Sequence, residues 1–364
     1  MNLLDEARSI INDVDEKMAK LFCERMKAAE MVAEYKKQHG LKIYDAERED
    51  ALVRRNSEFI EDAELREFYV NFQKSTMAVS RSYQDRLMSG MKIAFCGTEG
   101  AFAHIATSKL FPTAKKIAYD DFATAYNAVV DGECDAAVLP IENSYNGEVG
   151  HVTDLMFSGS LYVNNITELA VSHDLLAIPG AKTEDIKKVI SHPQALGQCA
   201  RYLKSKNFEQ LEYTNTALAA KYVSECKDKT LAAIASEEAA EIFGLSVLER
   251  NINSSRSNTT RFAVFSRSQN VYSENQKNVH TIFLFTVRNE AGALAKAIDI
   301  IGKYGFNMIS LRSRPMKELL WQYYFYIEAE GNANSTAGKA MMQELFECCD
   351  KLKLVGTYLG AGLR

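Results

Sequence analysis

The chain has 364 residues, 47% of them hydrophobic and 25% charged, and a net charge of −5. That length holds roughly two or three domains, and the composition is that of a globular protein, neither disordered nor fibrous. The acidic balance excludes the electrostatic footprint of a nucleic-acid or anionic-membrane binder, no apolar run approaches a bilayer span, and Asp5, Glu6 and Arg8 so near the start argue against a signal peptide.

Residues 3–37 form the first predicted element, a long helix. Leu4, Ala7, Ile11, Val14, Met18, Leu21, Ala28, Val32 and Tyr35 recur in a three-and-four rhythm with no Gly or Pro to interrupt it. Arg25 stands where this seam calls for another apolar residue. A guanidinium there is costly unless an anion or a carboxylate meets it. Lys36 follows eleven residues later, close to three full turns, and projects from nearly the same face about 16 Å further along the axis. Two long cations could then close on a small dianion from both ends. Arg8 lies seventeen residues before Arg25, about 25 Å away along the axis, so any such ligand it meets belongs to a second chain. The alternative for all three is an ordinary charged helix surface.

Gly40 breaks the pattern. Asp45, Arg48 and Glu49 then share one face of a second helix, which a salt-bridged surface would also explain. A third helix, about residues 64–87, is expected to turn Phe68, Phe72, Met77 and Val79 inward and to carry Ser80 and Gln84 one turn apart.

Beyond Ser89-Gly90 the signals alternate between strand and helix as far as residue 265, which predicts an α/β region. Its first glycine turn, Gly97-Thr98-Glu99-Gly100, is not a dinucleotide fingerprint, so no nicotinamide site, and no other cofactor, is expected. Four polar runs sit at the ends of apolar strands, where open sheets place their ligands: residues 97–104, Glu142-Asn143-Ser144 with Gly147, Ser191-His192-Pro193-Gln194, and Asn258-Thr259-Thr260-Arg261-Phe262. Helix caps and turn chemistry account for such residues singly. Strand alternation puts Asn258, Thr260 and Phe262 on one face and Arg261 on the other.

A polar linker, residues 274–277, precedes a strand (280–287), a helix (292–304), two strands (307–312 and 321–328), a helix (336–349) and a strand (354–359). That order is the ferredoxin-like βαββαβ unit. The cysteines at 23, 96, 134, 199, 226, 348 and 349 include no CxxC pair and are odd in number; reduced thiols, mostly in the core, are expected. The six histidines lack ligand spacing, so no metal site is predicted.

The first ninety residues resemble the all-helical chorismate mutase domain in Arg8, Glu24-Arg25, Lys36, the Asp45, Arg48, Glu49 run and the Ser80, Gln84 pair. The resemblance implies an intertwined dimer in which Arg25 and Lys36 hold the chorismate carboxylates and ether oxygen and Arg8 arrives from the partner chain. It further implies that Asp45 and Glu49 take the substrate hydroxyl, that Ser80 and Gln84 complete the pocket beside Arg48, and that Lys36 and Gln84 are the catalytic donors. The reaction is a rearrangement needing no nucleophile or base, only a held conformer and donors for the charge on the breaking ether oxygen.

Residues 91 to about 270 resemble the prephenate dehydratase domain, most specifically in Ile141-Glu142-Asn143-Ser144 and Thr260-Arg261-Phe262. Two α/β lobes like those of a periplasmic-type binding protein are implied, with the chain leaving the first near residue 171 and returning near residue 248. The prephenate site in the cleft between them would take Asn143, Ser144, Gly147, Thr260, Arg261 and Phe262, with Thr260 as the essential hydroxyl. Residues 279–364 resemble the ACT domain, which binds phenylalanine in this enzyme family, through Gly292-Ala293-Leu294 and Ser313-Arg314-Pro315 with Trp321 following. The family usually has Glu before Ser-Arg-Pro, where this chain has Arg312. Together the three resemblances imply a cytoplasmic, cofactor-free enzyme that converts chorismate to prephenate and then to phenylpyruvate, as a homodimer or larger homo-oligomer sensing phenylalanine. A tyrosine-branch mutase joined to a dehydrogenase would need the missing NAD fingerprint, and a sensor without turnover would need neither Lys36 nor Thr260.

Overall fold

The structure, a computed structural model, describes residues 2–254, 257–316 and 322–360, and the chain divides into two compact units, Met1–Lys92 and Ile93–Arg364. The first unit is three helices. In α1 (Leu3–His39) the Asn2 side chain accepts from the Asp5 N–H in a capping box, and Gly40, at φ +64°, closes the C-terminus in a left-handed conformation that glycine adopts without strain. Asp45 caps α2 (Ala46–Ser57), and Asp62 caps α3 (Ala63–Ser89).

Burial in this unit gathers where α3 lies against the C-terminal half of α1, around Ala29, Ala33 and Met77. The N-terminal half of α1 is exposed throughout, with Leu3 at 84%, Ile10 at 59% and Leu21 at 62%. Phe68, Phe72 and Val79, expected inward, are each at least half exposed, and of that set only Met77 is buried.

The second unit opens with β1 (Lys92–Cys96), α4 (Phe102–Leu110), β2 (Lys115–Tyr119), α5 (Phe122–Val130), β3 (Ala136–Asn143), β4 (Gly147–Glu148), α6 (Gly150–Ser158) and β5 (Tyr162–Ala170). The chain then crosses to a second sheet through β6 (Asp174–Ala177), β7 (Lys188–Ser191), α7 (Pro193–Gln198), α8 (Ala200–Lys206), β8 (Glu209–Glu212), α9 (Thr216–Cys226), β9 (Leu231–Ala235), α10 (Glu237–Phe243) and β10 (Ser246–Glu249). It returns as β11 (Thr259–Ser266), which enters the first sheet between β3 and β5, antiparallel to both. The sheets run β2-β1-β3-β11-β5, with β4 beside β3, and β10-β6-β9-β7-β8. Because the return strand pairs with β3, residues far apart in sequence meet across one ladder, with Thr260 opposite Asn143 and Arg261 opposite Glu142.

The C-terminal portion follows the expected order: β12 (Val279–Thr286), α11 (Ala293–Lys303), β13 (Asn307–Pro315), β14 (Tyr323–Glu330), α12 (Thr336–Cys348) and β15 (Lys351–Leu359). Its antiparallel sheet runs β13-β14-β12-β15; Trp321 lies outside the described residues. Alternation gives the sheet two apolar faces. One, with Phe283, Phe285 and Ile327, packs under α11 and α12. The other, with Ile282, Leu284, Tyr324, Tyr326, Val355 and Tyr358, shares a core with Ala137, Leu139, Val163 and Phe265 of the first lobe. Gly356 makes the approach possible, since a Cβ there would collide with the backbone of Val163. Of the seven cysteines only Cys134 and Cys199 are buried, fewer than expected; Cys23 and Cys226 lie exposed on helices. No helix among the described residues is long and apolar enough to cross a membrane.

Candidate functional site

A cleft of about 230 Å³ in the first unit is lined by Arg25, Lys36, Asp45, Arg48, Glu49, Ser80 and Gln84, together with Arg81 and an apolar floor of Ala28, Ala29, Val32 and Met77. Alanines at 28 and 29 leave the space that a larger side chain would fill. Four cations face two carboxylates there, a local positive excess in an acidic chain. Arg25 donates to the Ser80 hydroxyl and, at 3.4 Å, to the Thr76 carbonyl. Burial pushes the Arg25 guanidinium below its ordinary value, and the nearby Glu49 charge opposes that shift. Lys36 donates to the Ile43 carbonyl at 2.5 Å. Gln84 is 9% exposed, and its Oε1 has no protein partner.

Two residues of the expected set are already engaged. Asp45 accepts the Arg48 N–H at 3.1 Å as a helix cap, and Glu49 pairs with Arg81, whose guanidinium lies 5.2 Å from the Tyr44 ring centroid. Arg81 has no counterpart among the sequence candidates, because its neighbours Ser80 and Gln84 drew attention to a single face. Arg8 is exposed and stands outside this cleft.

The second cleft, about 400 Å³, opens between the two lobes of the second unit. All four polar runs reach it, through Ala101 and Phe102, Asn143, His192 and Gln194, and Asn258 and Thr260. Four further polar contributions were not anticipated: Asn146, His173, Gln198 and the run Thr214-Asn215-Thr216. The last was legible in principle as a polar cap before the alanine-rich α9, where the Asn215 side chain accepts the Leu218 N–H at 2.7 Å. Helices α4, α7 and α9 all begin at this cleft, while no Lys or Arg stands among its described lining residues.

Backbone donors fix the polarity of a hydrogen-bond chain across the cleft. Asn143 Oδ1 accepts the N–H groups of Tyr145 and Asn146, both at 3.0 Å, so its Nδ2 must be the end that donates to Thr260 Oγ1 at 2.9 Å and Asn258 Oδ1 at 2.8 Å. Asn258 then turns its Nδ2 to Gln198 Oε1 at 3.1 Å, and the same oxygen faces His173 Nε2 at 2.8 Å. An oxygen can only accept, so His173 carries its proton on Nε2, and its buried Nδ1 is a bare lone pair with no protein partner. Burial pushes His173 below its ordinary value, which favours this neutral form. At the other end Thr260 accepts from Asn143, and its own proton is left for the cleft.

The rest of the expected set sits elsewhere. Ser144 is exposed and ties two strands together, donating to the Ser257 carbonyl and accepting the Thr259 N–H, each at 2.9 Å. Gly147 turns the hairpin between β3 and β4 at φ +79° without lining the cleft. Phe262 shares the Thr260 face by alternation but is fully buried, and Arg261 points away from the cleft. The Arg261 guanidinium is held at 2.6 and 3.0 Å by Glu328 on the C-terminal sheet and at 3.3 Å by Glu142. Burial alone would weaken the charge of Arg261, but Glu328 outweighs it and holds the guanidinium above its ordinary range. Neither Arg261 nor Phe262 is among the described residues that line this cleft.

In the C-terminal portion Gly292, at φ +85°, starts α11, and Leu294 lines a cavity with Arg288, Asn289, Glu290 and Phe325. Ala293, Ser313 and Pro315 do not line it. Arg314, expected at an effector site, is instead committed to Glu148, Asp154 and the Tyr324 hydroxyl.

The geometry has counterparts among known proteins. A family model described as chorismate mutase type II matches residues 7–85, and one described as prephenate dehydratase matches residues 93–270. A bifunctional chorismate mutase/prephenate dehydratase of Neisseria gonorrhoeae is 32% identical over 363 residues, covering 98% of this chain and 97% of that one. Among solved structures, a chain described as a novel type of quorum quenching acylase is 30% identical with a TM-score of 0.69, covering 74% of this chain and 98% of that one. Prephenate dehydratase from Arthrobacter aurescens in complex with L-Phe is 27% identical with a TM-score of 0.68, covering 74% and 90%.

Proposed function

We propose a division of two reactions between two clefts for this chain, which belongs to the bifunctional chorismate mutase/prephenate dehydratase family. The enzyme rearranges chorismate to prephenate, then decarboxylates and dehydrates prephenate to phenylpyruvate, within phenylalanine biosynthesis. Residues 1–90 form the mutase domain, residues 91–270 the dehydratase domain and residues 279–364 an ACT regulatory domain.

In the first cleft Arg25, Lys36 and Arg48 hold the two carboxylates of chorismate and compact it for rearrangement. Lys36 and Gln84 stabilise the charge on the breaking ether oxygen. A half-turn of the Gln84 amide brings an N–H to the end that now lacks a partner. Arg8 completes the pocket of a second chain, a reading supported by the uncovered apolar length of α1 around it.

In the second cleft the chemistry needs one carboxylate to leave as carbon dioxide. Its C–C bond breaks, the electron pair enters the ring, and the ring C–O bond breaks to release the hydroxyl, which takes up a proton as water. A Lys or Arg paired to that carboxylate would oppose its loss. Helix N-termini at α4, α7 and α9 attract an anion more weakly and without salt-bridge geometry. Thr260 donates its free proton in a hydrogen bond to the departing oxygen, held in that orientation by Asn143. The observation that carries this reading is the backbone-fixed bond from Asn143 to Thr260.

Phenylalanine regulates the enzyme through the C-terminal domain, by analogy with the Arthrobacter aurescens relative, whose complex contains L-Phe. Gly292, Ala293 and Leu294 with Ser313 and Pro315 are the candidate contacts. Two variants test the division. Gln84→Ala lowers the first activity about 10²-fold or more and spares the second, and Thr260→Val does the reverse. Loss of both activities in either variant, or of neither in both, contradicts it.

A further inference from the structure

The two strands that carry Asn143 and Thr260 carry an ion pair on their reverse face. Glu142 and Arg261, each one residue away from the cleft pair, are themselves register partners, and they bond at 3.3 Å. Glu142 is also the register partner of Glu148 across the hairpin that holds Asn143 at its first stem. Both stem carboxylates are gripped by one strand of the C-terminal sheet. Arg312 Nη2 meets Glu142 at 2.6 Å, Arg312 Nη1 lies 3.9 Å from Glu148, and Arg314 pairs with Glu148 and, at 3.1 Å, with Asp154. Residues two apart on a strand share a face, so β13 presents its two guanidiniums side by side to the two stems. Gly150 gives Arg314 its space, since a Cβ there would collide with the guanidinium.

We propose that Arg312 and Arg314 are positioning residues for the dehydratase reaction. By fixing the stems of the hairpin they set the height and angle of Asn143, and through it the direction of the Thr260 proton. This rests on the assignment of that pair to the second cleft. It also gives Arg312, the departure from the usual Glu, a task specific to this chain: a carboxylate at that position would repel Glu142 and leave one stem held by Arg261 alone. Positioning errors of a fraction of an ångström reach the chemical step without weakening ground-state binding.

The test uses the full-length chain with Arg312→Met, Arg312→Gln and Arg312→Lys, measuring kcat and KM for prephenate and, on the same preparation, mutase activity. The expected result is a loss of about tenfold to 10²-fold in kcat for Met and Gln, with KM within about twofold, mutase activity unchanged and most of kcat restored by Lys. A folded Met or Gln variant with wild-type kcat, or one that fails through KM alone, overturns the proposal. So does a Lys variant no better than Met. If Met unfolds the chain, Gln and Lys decide. Failure of the functional assignment is separable, because then Thr260→Val itself would leave prephenate turnover intact.

Discussion

At the residue scale the cleft proposed for prephenate turns on which end of one amide faces which neighbour. Asn143 can donate to Thr260 only because two backbone N–H groups occupy its oxygen. Asn143→Asp keeps the shape and removes the donor, so the Thr260 hydroxyl would turn its proton to the new carboxylate and away from the ligand. The expected outcome is a loss of about 10²–10³-fold in prephenate turnover with mutase activity unchanged, measured by following both reactions on one preparation. Much of this pair was legible beforehand. Strand alternation separated Thr260 from Arg261, and the resemblance to the prephenate dehydratase domain implied the return of the chain that places Thr260 beside Asn143. The acceptor sites of Arg261 and Arg314 were not legible, because Glu328, Glu148 and Asp154 lie far away in sequence and meet them only once the C-terminal sheet docks. A cation in a ligand-like motif looks the same whether its carboxylate comes from a substrate or from the protein.

At the scale of elements, α1 is the unusual one. Its three-and-four rhythm predicted a helix, and an uninterrupted helix of 37 residues is present. Its rhythm also predicted burial, yet Leu4, Ile11, Val14, Met18 and Leu21 are all more than two-fifths exposed. Burying each Leu or Ile is worth about 1.5–3 kcal/mol, so a stripe of this length drives association. The full-length enzyme should therefore sediment as a dimer, and Ile11→Glu with Leu21→Glu should shift it to monomer. Mutase activity should fall at least about tenfold in that variant, as Arg8 leaves the partner's cleft, while dehydratase activity persists. A wild-type monomer with full mutase activity would contradict this account of α1. Asp45 shows the complementary lesson: only the resemblance gave its spacing to Arg48 and Glu49 a binding role, and the same spacing is that of a cap and its helix.

At the scale of the molecule, three sequence regions were separable because their periodicities differ: helical rhythm alone, then alternating strand and helix, then βαββαβ. The order of the last was legible strand by strand, since each turn and each apolar run is local. Its packing was not, because both faces of that sheet are apolar and only the fold decides that one covers helices and the other covers the dehydratase lobe. The proposed division gives a cleft of cations to a reaction that needs only holding, and a cleft with no Lys or Arg among its described lining residues to a reaction that must release a carboxylate. The most direct measurement of that account is to give the purified chain chorismate with no added cofactor and to follow both prephenate and phenylpyruvate. Transient prephenate followed by phenylpyruvate is predicted; prephenate that accumulates unchanged, or a second step that proceeds only with NAD, would contradict it.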